Sequence, residues 1–252
     1  MEQPYLSVLI PAYKEGERIG RNLIEIDKYL RAKNYSYEII VIVDGSPDNT
    51  AEVARNYTHQ VANLRVIENP ENHGKGFVVR QGLLEGKGEY RLFLDADGST
   101  SITHLDTFFP EFEQGFDVVI GSRDHSSSQI TVHQPKWREL FGDTGNWLIR
   151  IVLGLWRYPD TQCGFKMIRG VAAEAVASRM VIDRFGFDFE FITLAERLGY
   201  AVKQMPVKWL NEEGSTVQLF GPNGYIQVFI DLFKTRARIW MGVYNISAGR
   251  KK

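Results

Sequence analysis

Short apolar runs alternate with amphipathic stretches along the first half of the chain. The run EIIVIV at 38–43 is apolar at almost every position, which is typical of a strand buried on both faces of a parallel sheet. Strands are predicted in this half at 6–10, 38–43, 64–69, 89–97 and 117–122. Helices are predicted between them at 17–33, 46–60, 74–87 and 103–112, the last ended late by Pro110. This alternation indicates an α/β fold with a doubly wound sheet.

The second half of the chain is less regular. A loop leading into a helix is predicted at 131–156, and strands are predicted at 164–170 and 200–209. Further helices are predicted from their spacing of apolar residues at 171–180, 187–199 and 225–244. No Ser-rich or Pro-rich linker separates the halves, so the pattern favours a single domain with an elaborated C-terminal side.

Composition restricts the classes of function. The chain has 252 residues and a formal net charge of −1, so it lacks the basic excess of a nucleic-acid-binding protein. Its single cysteine, Cys163, cannot form an intrachain disulfide, which fits a reducing cytoplasm. No secretory signal and no apolar run long enough to span a bilayer is visible. We therefore expect a cytoplasmic globular protein that binds no nucleic acid.

Two carboxylates, Asp95 and Asp97, end the strand predicted at 89–97. Side chains two positions apart on a strand point the same way, and like charges this close together favour protonation unless a cation is present. Mg²⁺ or Mn²⁺ suits such a pair, since these ions combine one or two carboxylates with substrate phosphates. The spacing alone is weak, because the same pair can cap a helix or a turn. The position at the carboxyl end of a strand, where such sheets bind ligands, favours the metal site.

Other polar residues follow strands at the same predicted edge. Asp44 ends the second strand, where it could accept a hydrogen bond from a base or a ribose, and Asp48 can cap the next helix. Lys75 lies in the glycine-rich turn His73–Gly76, which could bind an anion or simply start a helix. The turn does not match the phosphate-binding pattern of an ordinary ATPase.

Two arginines and two acidic residues complete the candidate set. Arg123 closes the fifth strand and Arg138 lies near a helix start. Together they could bind phosphate oxygens, although either one alone is more typical of a solvated surface. Asp188 and Glu190 lie among phenylalanines at another helix start, where a general base and a partner of the helix dipole are both consistent with the pattern.

The order of short motifs resembles that of family 2 glycosyltransferases with the GT-A fold, over about residues 5–217. The motifs are IPAYKE, VDGSPDNT, NHGKG, DADGST, GSR, DTQCGFK, FDFE and NEEGST. Within the family, the chain is most similar to the dolichyl-phosphate or polyprenyl-phosphate sugar synthases, and DADGST and DTQCGFK are closer to the glucose branch than to the mannose branch. The resemblance implies a mixed, mostly parallel sheet with helices on both faces. It also implies a catalytic domain at 1–217 and a C-terminal amphipathic segment at 218–252.

The resemblance implies a donor site built by the first two strands. Pro11, Tyr13 and Glu15 would line the nucleotide pocket, and Asp44 would lie against the base or the ribose. The family usually has two aspartates after the second strand, but here Val43 replaces the first of them. This departure concerns recognition of the base rather than the metal.

The resemblance also implies a metal site and an acceptor site. Asp95 and Asp97 would hold Mg²⁺ or Mn²⁺ together with the diphosphate of the sugar nucleotide, and Lys75 would contribute to donor binding. Arg123 and Arg138 would bind the phosphate of a lipid acceptor.

The expected reaction is inverting transfer of a hexose, glucose from UDP-glucose, to dolichyl or polyprenyl phosphate. A phosphate monoester is already anionic near neutral pH, so it needs positioning and charge screening rather than a strong base. GDP-mannose is the alternative donor. A glycan hydroxyl is the alternative acceptor and would require Asp188 or Glu190 as general base. An inactive nucleotide-sugar-binding protein is the alternative outside enzymes.

The C-terminal segment predicts a contact outside the catalytic domain. One face of the helix predicted at 225–244 carries Ile226, Phe229, Ile230, Phe233, Ala237 and Trp240. Cations are supplied by Lys234, Arg236, Arg238, Arg250, Lys251 and Lys252. A basic amphipathic helix can lie in a membrane interface, although the apolar face could instead pack on the catalytic domain or on a second subunit. We expect a peripheral contact with the cytoplasmic face of a membrane.

Overall fold

The computed structural model describes residues 3–123, 129–130, 136–210 and 224–244, with the backbone alone described at 129–130, 136–144 and 225. The strands within these residues are β1 (Leu6–Ala12), β2 (Tyr37–Asp44), β3 (Leu64–Asn69), β4 (Tyr90–Leu94), β5 (Val118–Ser122), β6 (Gln129–Ile130), β7 (Phe165–Arg169), β8 (Val202–Pro206) and β9 (Lys208–Trp209). The α-helices are α1 (Ile19–Arg31), α2 (Thr50–Asn56), α3 (Lys75–Glu85), α4 (Leu105–Glu113), α5 (Lys136–Leu153), α6 (Gly170–Ala177), α7 (Phe187–Arg197) and α8 (Tyr225–Trp240).

Seven strands form one sheet in the order β3-β2-β1-β4-β7-β5-β8. The neighbours β3–β2, β2–β1, β1–β4 and β5–β8 are parallel, and only β7 runs antiparallel to its neighbours β4 and β5. The strands β6 and β9 form a separate parallel pair. The predicted mixed, mostly parallel sheet is therefore confirmed.

The sheet is covered on both faces because its strands are apolar on both faces. Leu9 and Ile40 belong to a cluster that includes apolar residues of α3, α6 and α7. Their neighbours Val8 and Val41 belong to a second cluster that includes residues of α1 and α4. Side chains of a strand alternate between the two faces, so the continuous apolar runs supply both clusters.

Several predicted boundaries were wrong near the ends of elements. The fourth strand was predicted to reach residue 97, but β4 ends at Leu94. Asp95 still donates its backbone N–H to the Gly164 carbonyl at 3.1 Å, and the chain then turns at Gly98, where φ is +76°. Pro110 lies inside α4 and does not end it. The two aspartates therefore lie in a turn beyond the strand.

The helix α8 turns a different face inward from the one that its apolar pattern suggested. Leu232 and Thr235 are fully buried, whereas Phe233 and Trp240 are 56% and 88% exposed. The alternative that the apolar face packs on the catalytic domain is therefore wrong for these described residues. The proposed boundary between 217 and 218 lies outside the described residues. Within the described residues, no helix combines the length and apolarity needed to cross a bilayer.

Candidate functional site

The carboxyl ends of β2, β1 and β4 lie side by side in the middle of the sheet. The segment after β1 is tied to the segment after β2, because Lys14 N–H donates to Ser46 Oγ at 2.8 Å and Glu15 N–H donates to Thr50 Oγ1 at 2.9 Å. Asp48 accepts from the Ser46 and Thr50 hydroxyls and from the Thr50 amide. Asp48 thus binds the first amide of α2 from the position before the N-cap residue, Asn49, whose side chain makes no capping hydrogen bond. Segments distant in the sequence therefore meet at one edge.

Burial would raise the pKa of Asp48, but the hydrogen bonds from Ser46 and Thr50 prevail and lower that pKa to about 2. Asp48 is therefore ionised at neutral pH. Its negative charge holds the loop between β2 and α2 in the conformation that supports Glu15.

Asp95 and Asp97 follow β4 at this edge, and a lysine accompanies them. Lys75 Nζ lies 2.6 Å from Asp95 Oδ1. Burial raises the pKa of Asp97, and the charge of Asp95 raises it further. Burial would lower the pKa of Lys75, but the charges of Asp95, Asp188 and Asp97 raise it. The ammonium group therefore occupies a field created by three carboxylates.

These residues fit a divalent cation that also binds substrate. Asp95 and Asp97 are oxygen donors, and the ammonium of Lys75 already shows that a cation is stable beside Asp95. Among the described residues, no group of three or more His, Cys, Asp or Glu side chains could hold a metal ion by itself. A divalent ion would therefore need oxygens from a ligand such as a diphosphate to complete its coordination.

Two residues outside the predicted site hold this turn in place. A Cβ at Gly164 would overlap with the Asp95 carboxylate, so only glycine leaves room for that side chain. Asn22 of α1 donates its amide Nδ2 to the Ala96 carbonyl at 3.1 Å. Gly164 lies within the DTQCGFK motif, where no role was predicted for it, although a glycine inside such a motif is a usable signal.

Glu15 lies beside the same aspartates. Burial raises the pKa of Glu15 to about 7, the Arg18 guanidinium opposes this increase, and the charges of Asp97 and Asp95 add to it. Arg18 Nε and Nη2 each donate to Glu15 at 2.9 Å. Pro11 is buried within β1, and Tyr13 is exposed at its end. The predicted nucleotide-pocket residues therefore lie at and just beyond the carboxyl end of β1, and their role in nucleotide binding stays a prediction.

Asp44 holds the turn that precedes α3. Its carboxylate accepts from His73 N–H at 2.9 Å, from Gly74 N–H at 2.7 Å and from the Asn72 amide at 3.0 Å. Both carboxylate oxygens of Asp44 already accept hydrogen bonds from within the protein. Contact between Asp44 and a base or ribose stays a prediction. Val43 is buried in the hydrophobic cluster on one face of the sheet, where a second aspartate would lack solvent.

Arg123 is bound in place by Asp160. Its Nε and Nη2 donate to the two Asp160 oxygens at 2.8 and 3.0 Å, and its backbone N–H donates to Oδ2 at 2.9 Å. Burial would raise the pKa of Asp160, but the Arg123 charge prevails and lowers it to about 2. The backbone of Arg138 lies in α5, but its side chain is outside the described residues. Asp160 was missed as a functional residue, although it opens the quoted DTQCGFK motif.

Asp188 and Glu190 lie in the first turn of α7 and have different surroundings. Asp188 is paired with the fully buried ammonium of Lys166, and the charges of Lys75 and Asp95 act on it. Glu190 accepts from the backbone of Val181 and Ile182 and from the Tyr244 hydroxyl at 2.7 Å. Burial raises the pKa of both carboxyls. The structure therefore brings Asp188 to the site, whereas Glu190 joins α7 to the residues after α8.

Comparisons with known proteins agree on one family. The profile of "Glycosyl transferase family 2" matches residues 7–177. The dolichyl-phosphate beta-glucosyltransferase of Drosophila melanogaster is 33% identical over 261 residues, which cover 98% of this chain and 79% of that protein. Dolichyl-phosphate beta-glucosyltransferase ALG5D of Trichomonas vaginalis is 31% identical over 252 residues, which cover 94% of this chain and 76% of that protein.

Solved structures agree on the fold. Glucosyl-3-phosphoglycerate synthase from Mycobacterium tuberculosis, crystallised with Mn²⁺, UDP-glucose and phosphoglyceric acid, has a TM-score of 0.65 and 20% identity, covering 93% of this chain and 80% of that chain. Mannosyl-3-phosphoglycerate synthase from Rubrobacter xylanophilus has a TM-score of 0.61 and 17% identity, covering 99% of this chain and 76% of that chain. This likeness confirms the predicted GT-A fold class.

Proposed function

The chain belongs to glycosyl transferase family 2, and from this premise we propose that it transfers glucose from UDP-glucose to dolichyl or polyprenyl phosphate with inversion of the anomeric centre. The observation that carries the proposal is the cluster of Asp95, Asp97 and Lys75 at the end of β4. The proposed substrates are supported by relatives named dolichyl-phosphate beta-glucosyltransferase over nearly the whole chain. The donor is further supported by the UDP-glucose in a solved structure of the same fold.

We infer that Asp95 and Asp97 hold Mg²⁺ or Mn²⁺ when the donor binds. A divalent ion at this position would stabilise the negative charge that develops on the departing diphosphate. Lys75 lies beside Asp95 and suits binding of diphosphate oxygens. Glu15, Pro11 and Tyr13 would line the nucleotide pocket.

We infer that Arg123 orients the acceptor phosphate, with Arg138 as its partner on α5. Asp160 uses the Nε side of the Arg123 guanidinium, which leaves the planar group fixed in direction rather than free to rotate. A fixed guanidinium suits a phosphate monoester, because the oriented anion attacks without prior loss of a proton. A hydroxyl acceptor would instead require Asp188 as base.

We infer that α8 contacts the cytoplasmic face of a membrane. Ile226, Ile230, Phe233 and Trp240 are all exposed, and Lys234 and Arg236 lie exposed beside them. Asp231, the acidic residue of α8, is buried, so the exposed part of the helix carries cations without carboxylates. A second copy would place cations opposite cations in a two-fold contact, whereas each cation near an anionic lipid surface contributes about 1 kcal/mol.

The reaction is tested with a panel of nucleotide sugars against polyprenyl phosphate and against free glycans, with lipid-linked and glycan products measured by mass spectrometry. UDP-glucose is expected to give polyprenyl-phosphate glucose in the presence of Mn²⁺ or Mg²⁺. Product formed only from GDP-mannose, or only on a glycan hydroxyl, would refute the substrate assignment. Absence of turnover with every pair would favour the binding-only alternative.

The membrane contact is tested by sedimentation with anionic liposomes. The double variant Phe233→Ser and Trp240→Ser is expected to stay in the supernatant, whereas the wild type sediments. The control is Val171→Ser, which removes an exposed apolar side chain from α6. Sedimentation of the double variant at the wild-type level would contradict the proposed contact, and formation of a dimer that the double variant disrupts would favour the second copy.

A further inference from the structure

Lys75 supplies positive charge at the point where the carboxylates of the site are most crowded. Its Nζ lies 2.6 Å from Asp95 Oδ1. Both members of the pair remain open to solvent, with 26% of the Lys75 side chain and 30% of the Asp95 side chain exposed. Because both side chains keep this access to solvent, another cation can reach Asp95 and replace the ammonium group.

We propose that Lys75 is an exchangeable counter-ion, which neutralises Asp95 before the donor binds and moves to the diphosphate of the donor when a divalent cation takes its place beside Asp95. The inference rests on the proposed function, because it needs a donor with a diphosphate and a metal ion held by Asp95 and Asp97. It adds to that function a role for Lys75 both before and after the donor and the metal ion bind.

The surroundings of Lys75 allow its ammonium group to move while its backbone stays fixed. Gly74, directly before it, donates its N–H to Asp44 at 2.7 Å, so the start of α3 is anchored. The four-carbon side chain of lysine is flexible and carries a compact charge. An alternative partner a few ångströms away is therefore within reach without a change in the fold.

Lys166 provides the internal contrast, because it cannot exchange in this way. Its ammonium group donates to the Cys163 carbonyl at 2.7 Å and is paired with Asp188. The side chain is fully buried. Two lysines therefore face the same group of carboxylates, and only Lys75 is accessible to an incoming ligand.

The exchange couples the binding of metal to the binding of donor. Before the donor binds, Lys75 competes with the divalent cation for Asp95. When a diphosphate binds, it supplies oxygens to the metal and attracts Lys75 away from Asp95. Removal of the Lys75 charge should therefore strengthen metal binding by the nucleotide-free protein and reduce the increase in metal affinity caused by the nucleotide. Coupling of this kind is reciprocal between the two ligands.

The test is a titration of the full chain with Mn²⁺, in the absence and the presence of UDP, with free Mn²⁺ measured by electron paramagnetic resonance. Lys75→Met is expected to bind Mn²⁺ about fivefold more tightly than wild type without UDP. The increase in Mn²⁺ affinity caused by UDP should be about fivefold smaller in this variant than in wild type. Lys75→Arg, which keeps the charge, should resemble wild type.

Two further variants complete the design. Lys28→Met removes the same charge from an exposed position on α1 and should match wild type in both titrations. Lys75→Gln repeats the neutralisation if Lys75→Met has lost cooperative unfolding. Equal Mn²⁺ affinity of wild type and the neutral Lys75 variants without UDP, or weaker binding by those variants, would overturn the exchange. The proposed metal site would still stand if Asp97→Asn removed Mn²⁺ binding, whereas no binding by wild type with UDP would overturn both.

Discussion

Two ion pairs lie near the carboxyl edge of the sheet, and they are built differently. Lys75 Nζ lies 2.6 Å from Asp95 Oδ1, and both side chains are partly exposed. Arg123 and Asp160 share two side-chain contacts and one backbone contact, between 2.8 and 3.0 Å. Asp160 is only 2% exposed. The first pair joins two groups that a ligand can reach, and the second fixes one such group through a buried partner.

The two pairs suit different tasks. The Lys75–Asp95 pair suits a position where one cation replaces another, and the Arg123–Asp160 pair suits a position where a cation must keep one orientation. A pair that solvent can reach loses less when a metal or phosphate replaces one partner than a pair with a buried carboxylate does. A bidentate contact to a buried carboxylate keeps the guanidinium in one plane, because any rotation leaves Asp160 without its partner. We expect the donor side of the site to rearrange on binding and the acceptor side to stay as it is.

The largest effect is expected on the donor side, from Asp97→Asn. The variant should lower the rate of sugar transfer about 10²- to 10³-fold, because one of the two carboxylates for the metal is lost. Reversible loss of activity in EDTA should accompany this result in wild type. The control is Glu25→Gln on the exposed face of α1, which should keep full activity. Full activity of wild type in EDTA would contradict the metal assignment.

On the acceptor side, Asp160→Asn should lower the free energy of unfolding by about 2–3 kcal/mol, since it leaves the Arg123 charge without its buried partner. Asp95→Asn breaks the exposed pair and should change the free energy of unfolding by less than about 1 kcal/mol. Both values come from urea denaturation of the two variants under the same conditions. Equal losses would remove the distinction between an oriented pair and an exchangeable one.

A third change tests whether the position of Asp95 matters as well as its charge. Gly164→Ala places a methyl group where the Asp95 carboxylate lies, so that carboxylate must shift. We expect kcat/KM to fall about tenfold, because small displacements at a reacting centre are costly. Gly145→Ala in α5 is the matched control, since a Cβ there meets nothing within 4 Å. Similar kcat/KM values for the two variants would show that Asp95 tolerates displacement.

The smallest effect concerns Glu15, whose pKa burial raises from 4.5 to about 7. The folded protein therefore holds a proton between about pH 4.5 and 7 that the unfolded chain releases. Protonated Glu15 therefore stabilises the fold fully below the unfolded pKa of 4.5, and this stabilisation is lost as the pH rises through the folded pKa of about 7. Between pH 5 and pH 6, wild type should lose about 1 kcal/mol more free energy of unfolding than Glu15→Gln, measured in metal-free buffer. Parallel pH profiles would contradict this assignment.

Local periodicity was enough to predict the sheet and its edge. The strand predicted at 64–69 is β3, and the strand predicted at 38–43 differs from β2 by one residue at each end. Carboxyl ends of neighbouring parallel strands must lie at one edge, so the meeting of Glu15 and Asp95 followed from the order of elements. Gly164 and Asp160 lie within motifs visible in the sequence, but their contacts depend on β7 running antiparallel between β4 and β5.

The roles of individual charges were decided by tertiary packing. Asp188 and Glu190 share one sequence pattern, yet a helix turns by about 200° over two residues, so their carboxylates face different partners. One lies beside Lys166 and the other beside Tyr244. In the same way, the apolar face of α8 was visible in the sequence, but only the packing of Leu232 and Thr235 left Phe233 exposed. Spacing along a chain determines which residues share a face, whereas the neighbours of that face are set by segments distant in sequence.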